Sequence, residues 1–326
     1  MPLGLGLAVS HSPLLYRPRD QWERIYKALV KDVPQPNRAS IETADTLDSY
    51  QQRVNAGFDK LHQLLADYRP DVIVIAMSDT GRVFGPAQVP QLSVLVGDEI
   101  WGTTHYGEIG EQPAPDKRAT LRVNKPVAAW LVDELTEEGF DMNVNRFFKP
   151  LGDPANGAPH SLTDPYTRIV GNLNIPVVPL FINAHKDPAI TGHRMPPLGR
   201  AIAKVLSERD EKIAILGVGG LSGDPQGYLA GWVDELLDDW MLTRLRRGRS
   251  EELKTLWDVD SITVRGATRE VRNWIVTAAA MEQAGARVVT SGARAGTVEY
   301  AKATVIDYIR FHHATVGTAF AYWQPK

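Results

Sequence analysis

The stretch ILGVGGLSGDPQG, residues 215–227, is an apolar run that ends in a cluster of glycines. A short apolar run of this kind is typical of a buried strand. Glycine-rich turns at the ends of strands usually bring the backbone close to a ligand. The stretch therefore predicts a buried strand followed by a turn that lies beside a binding site.

Similar apolar runs occur along the chain and alternate with segments of helical periodicity. The runs cover residues 3–10, 71–77, 91–97, 175–183, 212–219 and 286–292. The segments with a 3.6-residue period cover residues 45–68, 124–140, 228–248 and 268–285. This alternation predicts an α/β fold with a mixed, mostly parallel central sheet and helices on both faces. We find no repeat or linker, so we expect one domain over residues 1–326.

Two segments lack either pattern, residues 98–123 and 143–165, and both are rich in Gly, Pro, Asn, Asp and Thr. We expect them to be long ordered loops, which are uncommon in a compact domain unless they shape a site. Among the histidines outside the strand ends, His62 is expected to be solvated. Of the neighbours His312 and His313, we expect one to be buried and the other exposed.

The composition excludes several kinds of site and partner. A formal net charge of -3 provides no electrostatic footprint for nucleic acid. The absence of cysteine excludes disulfides, thiolate metal ligands, iron–sulfur clusters and cysteine nucleophiles. No stretch approaches the roughly 18 apolar residues that span a bilayer, and the apolar N-terminus lacks the pattern of an export signal. We therefore expect a cytoplasmic protein with no membrane or nucleic-acid partner.

Polar residues at the strand ends are the candidates for a site, because ligands of an open α/β sheet gather at the carboxyl ends of its strands. The candidates at strand ends, in a loop and at the start of a helix are His11, Asp79, Thr80, His160, His185 and Glu270. A carboxylate directly after a strand, as at Asp79, is usually either a ligand or a helix cap.

An ordered set of motifs over nearly the whole chain resembles one known family. It comprises AVSHSPLL, PDVIVIAMSDTGRVF, a His-x4-Pro unit at His160–Pro165, IPVVPLFIN, HRMPPLGRAI, AILGVGGLS, GATREVRNWI and GTAFAYW. In this order they resemble the class III extradiol ring-cleavage dioxygenases, of the type of the protocatechuate 4,5-dioxygenase catalytic subunit. Members of that family hold Fe(II) with two histidines and one glutamate, which leaves positions open for a catechol-type substrate and O2.

Position by position, the resemblance implies that His11 and Glu270 are metal ligands and that His160 is a catalytic histidine. Two positions differ from the family pattern. Thr80 stands where the second iron histidine follows the aspartate, and Gly223 stands where a catalytic histidine follows GGLS. A neutral hydroxyl is a poor substitute for an imidazole on Fe(II).

A replacement for the lost ligand has to come from elsewhere in the chain. Asp79 is adjacent, but consecutive residues of an extended chain point to opposite sides, so it would need a local twist. His105, His185 or His193 would have to reach the metal from a loop. His185 and His193 flank Pro188 in a loop, where surface positions are favoured for both. His185 nevertheless stays, with His160 and Asp79, among the candidate catalytic residues.

Three functions are consistent with these residues. The first is an extradiol-type dioxygenase that acts with Fe(II) and O2 on a catechol-, gallate- or aminophenol-like compound. The second is a metal-free partner subunit of a hetero-oligomeric dioxygenase. The third is a non-oxidative enzyme that uses the same cleft for acid–base or hydrolytic work. We expect a small aromatic substrate, and either a second copy of this chain or a homologous subunit as partner.

Overall fold

The computed structural model describes residues 2–81, 83–85, 88–112, 114–146, 157–291 and 295–325. Within these residues the strands are β1 (Leu3–Val9), β2 (Val72–Met77), β3 (Leu92–Leu95), β4 (Glu99–Thr103), β5 (Arg118–Arg122), β6 (Asn143–Asn145), β7 (Val177–Ile182), β8 (Ile213–Val218), β9 (Arg287–Val288), β10 (Val298–Glu299), β11 (Thr304–Phe311) and β12 (Val316–Trp323). The α-helices are α1 (Trp22–Val30), α2 (Ala44–Tyr68), α3 (Lys125–Glu137), α4 (His160–Pro165), α5 (Met195–Leu206), α6 (Glu235–Arg246) and α7 (Val271–Ala284).

A mixed sheet forms the centre of the described residues, with eight strands in the order β11-β12-β1-β8-β2-β7-β3-β6. The neighbours β1, β8, β2 and β7 run parallel, whereas β12 is antiparallel to β1 and β3 is antiparallel to β7. All residues of β2, β7 and β8 are buried, which requires cover on both faces of the sheet. The predicted α/β class is confirmed. No helix among the described residues is long and apolar enough to cross a bilayer.

Side-chain caps explain where several helices begin. Thr43 accepts the backbone N–H of Thr46 at the start of α2 (3.4 Å), and Asn124 accepts that of Val127 at the start of α3 (3.1 Å). The helix predicted over residues 228–248 starts too early, because α6 begins only at Glu235. The residues before it form turns, and Gly231 lies there with a φ of +84° that a helix does not accommodate.

Two other local predictions were wrong, and one hairpin was not predicted. The predicted loop over residues 98–123 contains the β4–β5 hairpin, and the β11–β12 hairpin was missed. In β11 most residues are only half-buried, so this strand has no continuous apolar run. Of the strand predicted over residues 286–292, only Arg287–Val288 is a strand, and it pairs with β10 outside the main sheet. Residue 292 lies outside the described residues, as do residues 147–156 of the second predicted loop.

The predictions for the peripheral histidines were also wrong. His62 is half-buried, with Nδ1 2.9 Å from the carbonyl oxygen of Ile169. His312 and His313 are both buried, because the carboxylate of the buried Glu42 accepts the backbone N–H of each (2.8 and 2.9 Å). A single carboxylate thus satisfies two consecutive backbone amides and allows both residues to be buried.

A buried carboxyl group on α6 supports the glycine-rich turn after β8. Asp238 accepts the backbone N–H of Ser222 and the hydroxyl of Tyr308, both at 2.8 Å. Burial raises the pKa of Asp238 to about 7, well above the value of a free carboxyl group. Between about pH 4 and 7 the native protein therefore holds a proton that the unfolded chain has released. The contribution of this group to stability is greatest at low pH and is lost as the pH rises.

We expect Asp238→Asn to remove this pH dependence. As the pH rises from about 4 to 7, the unmodified protein should lose stability relative to the variant. The difference in the free energy of unfolding should change by about 1.4 kcal/mol for each pH unit. Urea denaturation at a series of pH values measures the difference. The exposed neighbour Asp239, changed to Asn, is the matched control. A difference that stays constant with pH would contradict the prediction.

Candidate active site

A cavity of about 260 Å³ opens where the carboxyl ends of the parallel strands β1, β2, β7 and β8 meet the start of α7. Its polar lining includes His11, Thr80, His160, His185, Gln226 and Glu270. The predicted site residues come from distant parts of the chain, and the structure brings them together here with the exception of Asp79. The expected surface position for His185 was wrong, because its side chain is only 18% exposed.

His185 and Glu270 are in direct contact in this cavity. Nε2 of His185 lies 2.8 Å from Oε1 of Glu270, whose other oxygen, Oε2, accepts the backbone N–H of Gly220 at 3.3 Å. Gly219 has a φ of +115°, and a Cβ there would lie 2.4 Å from Oε2. The glycine-rich turn after β8 thus approaches the Glu270 carboxylate, and only glycine leaves space for it.

His11 lies between Tyr16 and a buried carboxylate that sequence reasoning missed. Its ring centroid is 5.4 Å from that of Tyr16, and Nε2 is 3.7 Å from Oδ2 of Asp164, too long for a hydrogen bond. That nitrogen is buried and has no hydrogen-bond partner. Burial by itself raises the pKa of Asp164, but His11, His160 and Arg17 outweigh it and hold the pKa below its usual range. Asp164 is therefore an anion beside His11.

The His-x4-Pro unit could have drawn attention to Asp164, because Asp164 lies within it, four residues after His160. Residues four apart on a helix share a face, so Asp164 stands on the same face of α4 as His160. His160 is buried at the first position of α4, and its ring centroid lies 6.3 Å from those of His105 and Tyr106. His105 is buried too, with Nδ1 2.8 Å from Oγ1 of Thr103.

Asp79 shapes the loop after β2. Its Oδ2 accepts the backbone N–H groups of Gly81, Val83 and Phe84 at 3.0–3.1 Å. A carboxylate that accepts several backbone amides fixes the conformation of its loop. A catalytic role for Asp79 stays a prediction. His193 is about half exposed and pairs with Asp258 at 2.8 Å, as expected for a surface residue.

Comparison with known proteins gives this arrangement its context. Residues 36–305 match the family described as the catalytic LigB subunit of aromatic ring-opening dioxygenase. The chain belongs to this family. The match confirms the class III extradiol superfamily that the motifs resemble.

Two relatives and one solved structure show how similar this chain is to individual proteins. A 2,3-dihydroxyphenylpropionate/2,3-dihydroxicinnamic acid 1,2-dioxygenase of Photorhabdus laumondii is 30% identical over 179 residues, 55% of this chain and 51% of that protein. One of the same name from Rhodococcus sp is 26% identical over 227 residues, 69% of this chain and 58% of that protein. The chain thus spans little more than half the length of these relatives. An uncharacterized Escherichia coli K12 protein shares the fold, with a TM-score of 0.55, 13% identity, and coverage of 98% of this chain and 99% of that one.

Gly223, where the resemblance to the LigB family places a histidine, has no space for a side chain. A Cβ there would lie 2.3 Å from the carbonyl oxygen of Thr315 and 2.9 Å from Cα of Val316. Gly223 forms an isolated bridge with Val316, so backbone rather than a movable side chain blocks the position. The turn is built around glycine, and a histidine would require the backbone to move.

We therefore expect Gly223→His to destabilise the protein and to add no activity. The steric conflict should lower the free energy of unfolding by about 2–4 kcal/mol, measured by urea denaturation. Gly139 is the matched control, because it has a φ of +86° but no atom near the position of a Cβ. Gly139→His should cost about 1 kcal/mol, from the backbone conformation alone. Equal losses in the two variants would show that the contact with Thr315 and Val316 is unimportant.

The donor types in the cavity fit the iron that the LigB family implies. His11 and His185 supply imidazole nitrogens and Glu270 a carboxylate, the two kinds of ligand of a non-haem Fe(II) site. Nε2 of His11 is buried and has no hydrogen-bond partner, so it is a donor that a metal ion could use. Within the described ranges, no three His, Asp or Glu side chains lie close enough together to hold a metal ion as they stand. Of these three side chains, His185 and Glu270 are already in direct contact.

Proposed function

We propose that this chain is an extradiol-type ring-cleavage dioxygenase that acts with Fe(II) and O2 on a catechol-, gallate- or aminophenol-like compound. The observation that supports this function is the convergence of His11, His160 and Glu270 in one cavity at the carboxyl edge of the sheet. These three residues stand at the positions that the motifs imply for two metal ligands and a catalytic histidine. They come from the start, the middle and the late part of the chain.

In this proposal His11 and Glu270 bind the metal. Iron held by these residues would supply the redox chemistry by which O2 reacts with a catechol-type substrate. Asp164, which Arg17 holds at 3.3 Å, places a negative charge 3.7 Å from Nε2 of His11. A negative charge at this distance adds to the attraction of the cavity for a cation.

His160 is the proposed acid–base group. It is buried at the cavity wall beside Tyr106. There it would accept a proton from a substrate hydroxyl and return it after ring opening. The apolar part of the lining suits the face of an aromatic ring. It comprises Pro13, Leu29, Tyr106, Pro225 and Ala267.

The test is oxygen uptake by protein that has been loaded with Fe(II) under anaerobic conditions. We expect about one iron per chain, and one O2 consumed per molecule of product with at least one member of a panel of catechols, gallates and aminophenols. Protein loaded with Zn²⁺, which has no redox chemistry, is the control and should consume none. An iron-loaded sample that consumes no oxygen across the panel would contradict the proposal.

A second candidate is a metal-free partner subunit of a hetero-oligomeric dioxygenase. It is favoured by exposed apolar side chains near the turn after β8. Tyr228 and Leu236 are 85% and 84% exposed, and Trp232 is 45% exposed. Trp232 and Leu236 line one surface groove, and contiguous exposed apolar groups mark interaction surfaces. The same loading experiment distinguishes the two functions, because a metal-free subunit takes up no stoichiometric iron.

A further inference from the structure

We propose that His185 is the second imidazole ligand of the metal site, in place of the histidine that the family carries at the position of Thr80. The inference rests on the proposed function, since it concerns the same metal. The proposed ligand does not lie in the motif that contains Thr80. It follows a different strand of the sheet.

The sheet order explains how the exchange is possible. Strands β2 and β7 are parallel neighbours, and Met77 at the end of β2 pairs with Phe181 of β7. Thr80 comes three residues after β2 ends, and His185 comes three residues after β7 ends. Both positions line the same cavity. A ligand lost from one strand end can therefore be supplied by the adjacent strand end without a change in the fold.

His185 and Glu270 direct their donor atoms toward each other in the cavity. A ring nitrogen and a carboxylate oxygen at hydrogen-bond distance share a proton, and a metal ion that both bind would replace that proton. Nε2 of His185 and Oε1 of Glu270 are 2.8 Å apart. Because Oε2 of Glu270 already accepts the N–H of Gly220, Oε1 is the oxygen that would bind the same metal ion as His185.

The loop that carries His185 is held against the helix start that carries Glu270. Arg269 donates to the carbonyl oxygen of His185 (3.4 Å) and to the carboxylate of Asp187 (3.0 Å). Asn183 accepts the backbone N–H of Lys186 at 3.0 Å. These bonds fix the backbone on both sides of His185, so its side chain is preorganised beside Glu270, as a metal ligand requires.

The decisive experiment compares Fe(II) affinity, measured by anaerobic equilibrium dialysis, among His185→Ala, His193→Ala and the double variant His185→Ala/Thr80→His. Loss of an outer-shell partner weakens metal binding by up to about 100-fold. His185→Ala removes a direct ligand, so it should weaken Fe(II) binding by at least that factor. His193→Ala, in the same region but paired with Asp258 at the surface, should bind as the unmodified protein does. The double variant should recover at least about 10-fold of the affinity, because it restores the family ligand.

A spectroscopic count of imidazoles gives a readout that does not depend on activity or on a variant that folds poorly. With nitric oxide bound as a paramagnetic probe, pulsed EPR should detect two imidazole nitrogens on iron in the unmodified protein and one in His185→Ala. Circular dichroism verifies that each variant is folded. Unchanged affinity in His185→Ala, or a single imidazole in the unmodified protein, would overturn the proposal and leave His185 as a hydrogen-bond partner of Glu270. Two imidazoles without oxygen uptake would instead overturn only the proposed dioxygenase function.

Discussion

Replacing Glu270 by glutamine should weaken Fe(II) binding by at least about 100-fold and abolish ring cleavage with it. Glu270 is buried and is the one carboxylate on the cavity wall among the described residues. A neutral amide of the same size preserves the packing against Gly219 but removes the negative charge that binds the metal. The amide is a weak ligand for Fe(II), so binding would depend on imidazoles alone.

Iron content after anaerobic loading and oxygen uptake measure the effect of Glu270→Gln. Glu282→Gln is a matched control on the same helix. Glu282 is a buried carboxyl group too, but it accepts hydrogen bonds from Ser250 (2.7 and 2.9 Å) and does not line the cavity. Its replacement should change stability and leave iron content as it was. Stoichiometric iron in Glu270→Gln would remove Glu270 from the metal site.

His160→Gln should lower kcat for ring cleavage by about 10²–10⁴-fold while iron binding stays within a factor of about three of the unmodified protein. Glutamine keeps hydrogen-bonding capacity at the start of α4 but cannot take up and release a proton near neutral pH. A proton-transfer group assists the reaction but does not bind the metal. Its loss should therefore lower kcat and leave the metal affinity unchanged. KM should change much less than kcat.

Steady-state kinetics of the iron-loaded variant, with iron measured on the same sample, tests this prediction. His62→Gln is the control, since His62 is a half-buried histidine that bonds the carbonyl oxygen of Ile169 and does not line the cavity. The variant at His62 should retain the kcat of the unmodified protein. If His160→Gln loses iron as strongly as Glu270→Gln, His160 is a ligand rather than the acid–base group. If its kcat is unchanged, His160 has no part in the reaction.

Local chemistry made much of the fold predictable. Central strands such as β2, β7 and β8 are apolar throughout because both faces are covered, and that pattern is visible in the chain. The Asn124 cap is visible because a capping side chain bonds an amide three residues away. The hairpin β11–β12 was missed because one of its strands, β11, is largely half-buried and lacks a continuous apolar run.

Some residues of the candidate site could be predicted from the sequence, and others could not. The motifs, read by residue type and order, were sufficient to select His11, His160 and Glu270, and to show that Thr80 and Gly223 depart from the family pattern. Only the tertiary structure decided that His185 lies against Glu270, 85 positions away in the chain, and that Asp164 lies beside His11. It also decided that Gly223 has no room for a side chain. The reason is physical: periodicity and capping record interactions within a few residues, whereas these contacts depend on which strand ends the sheet order brings together.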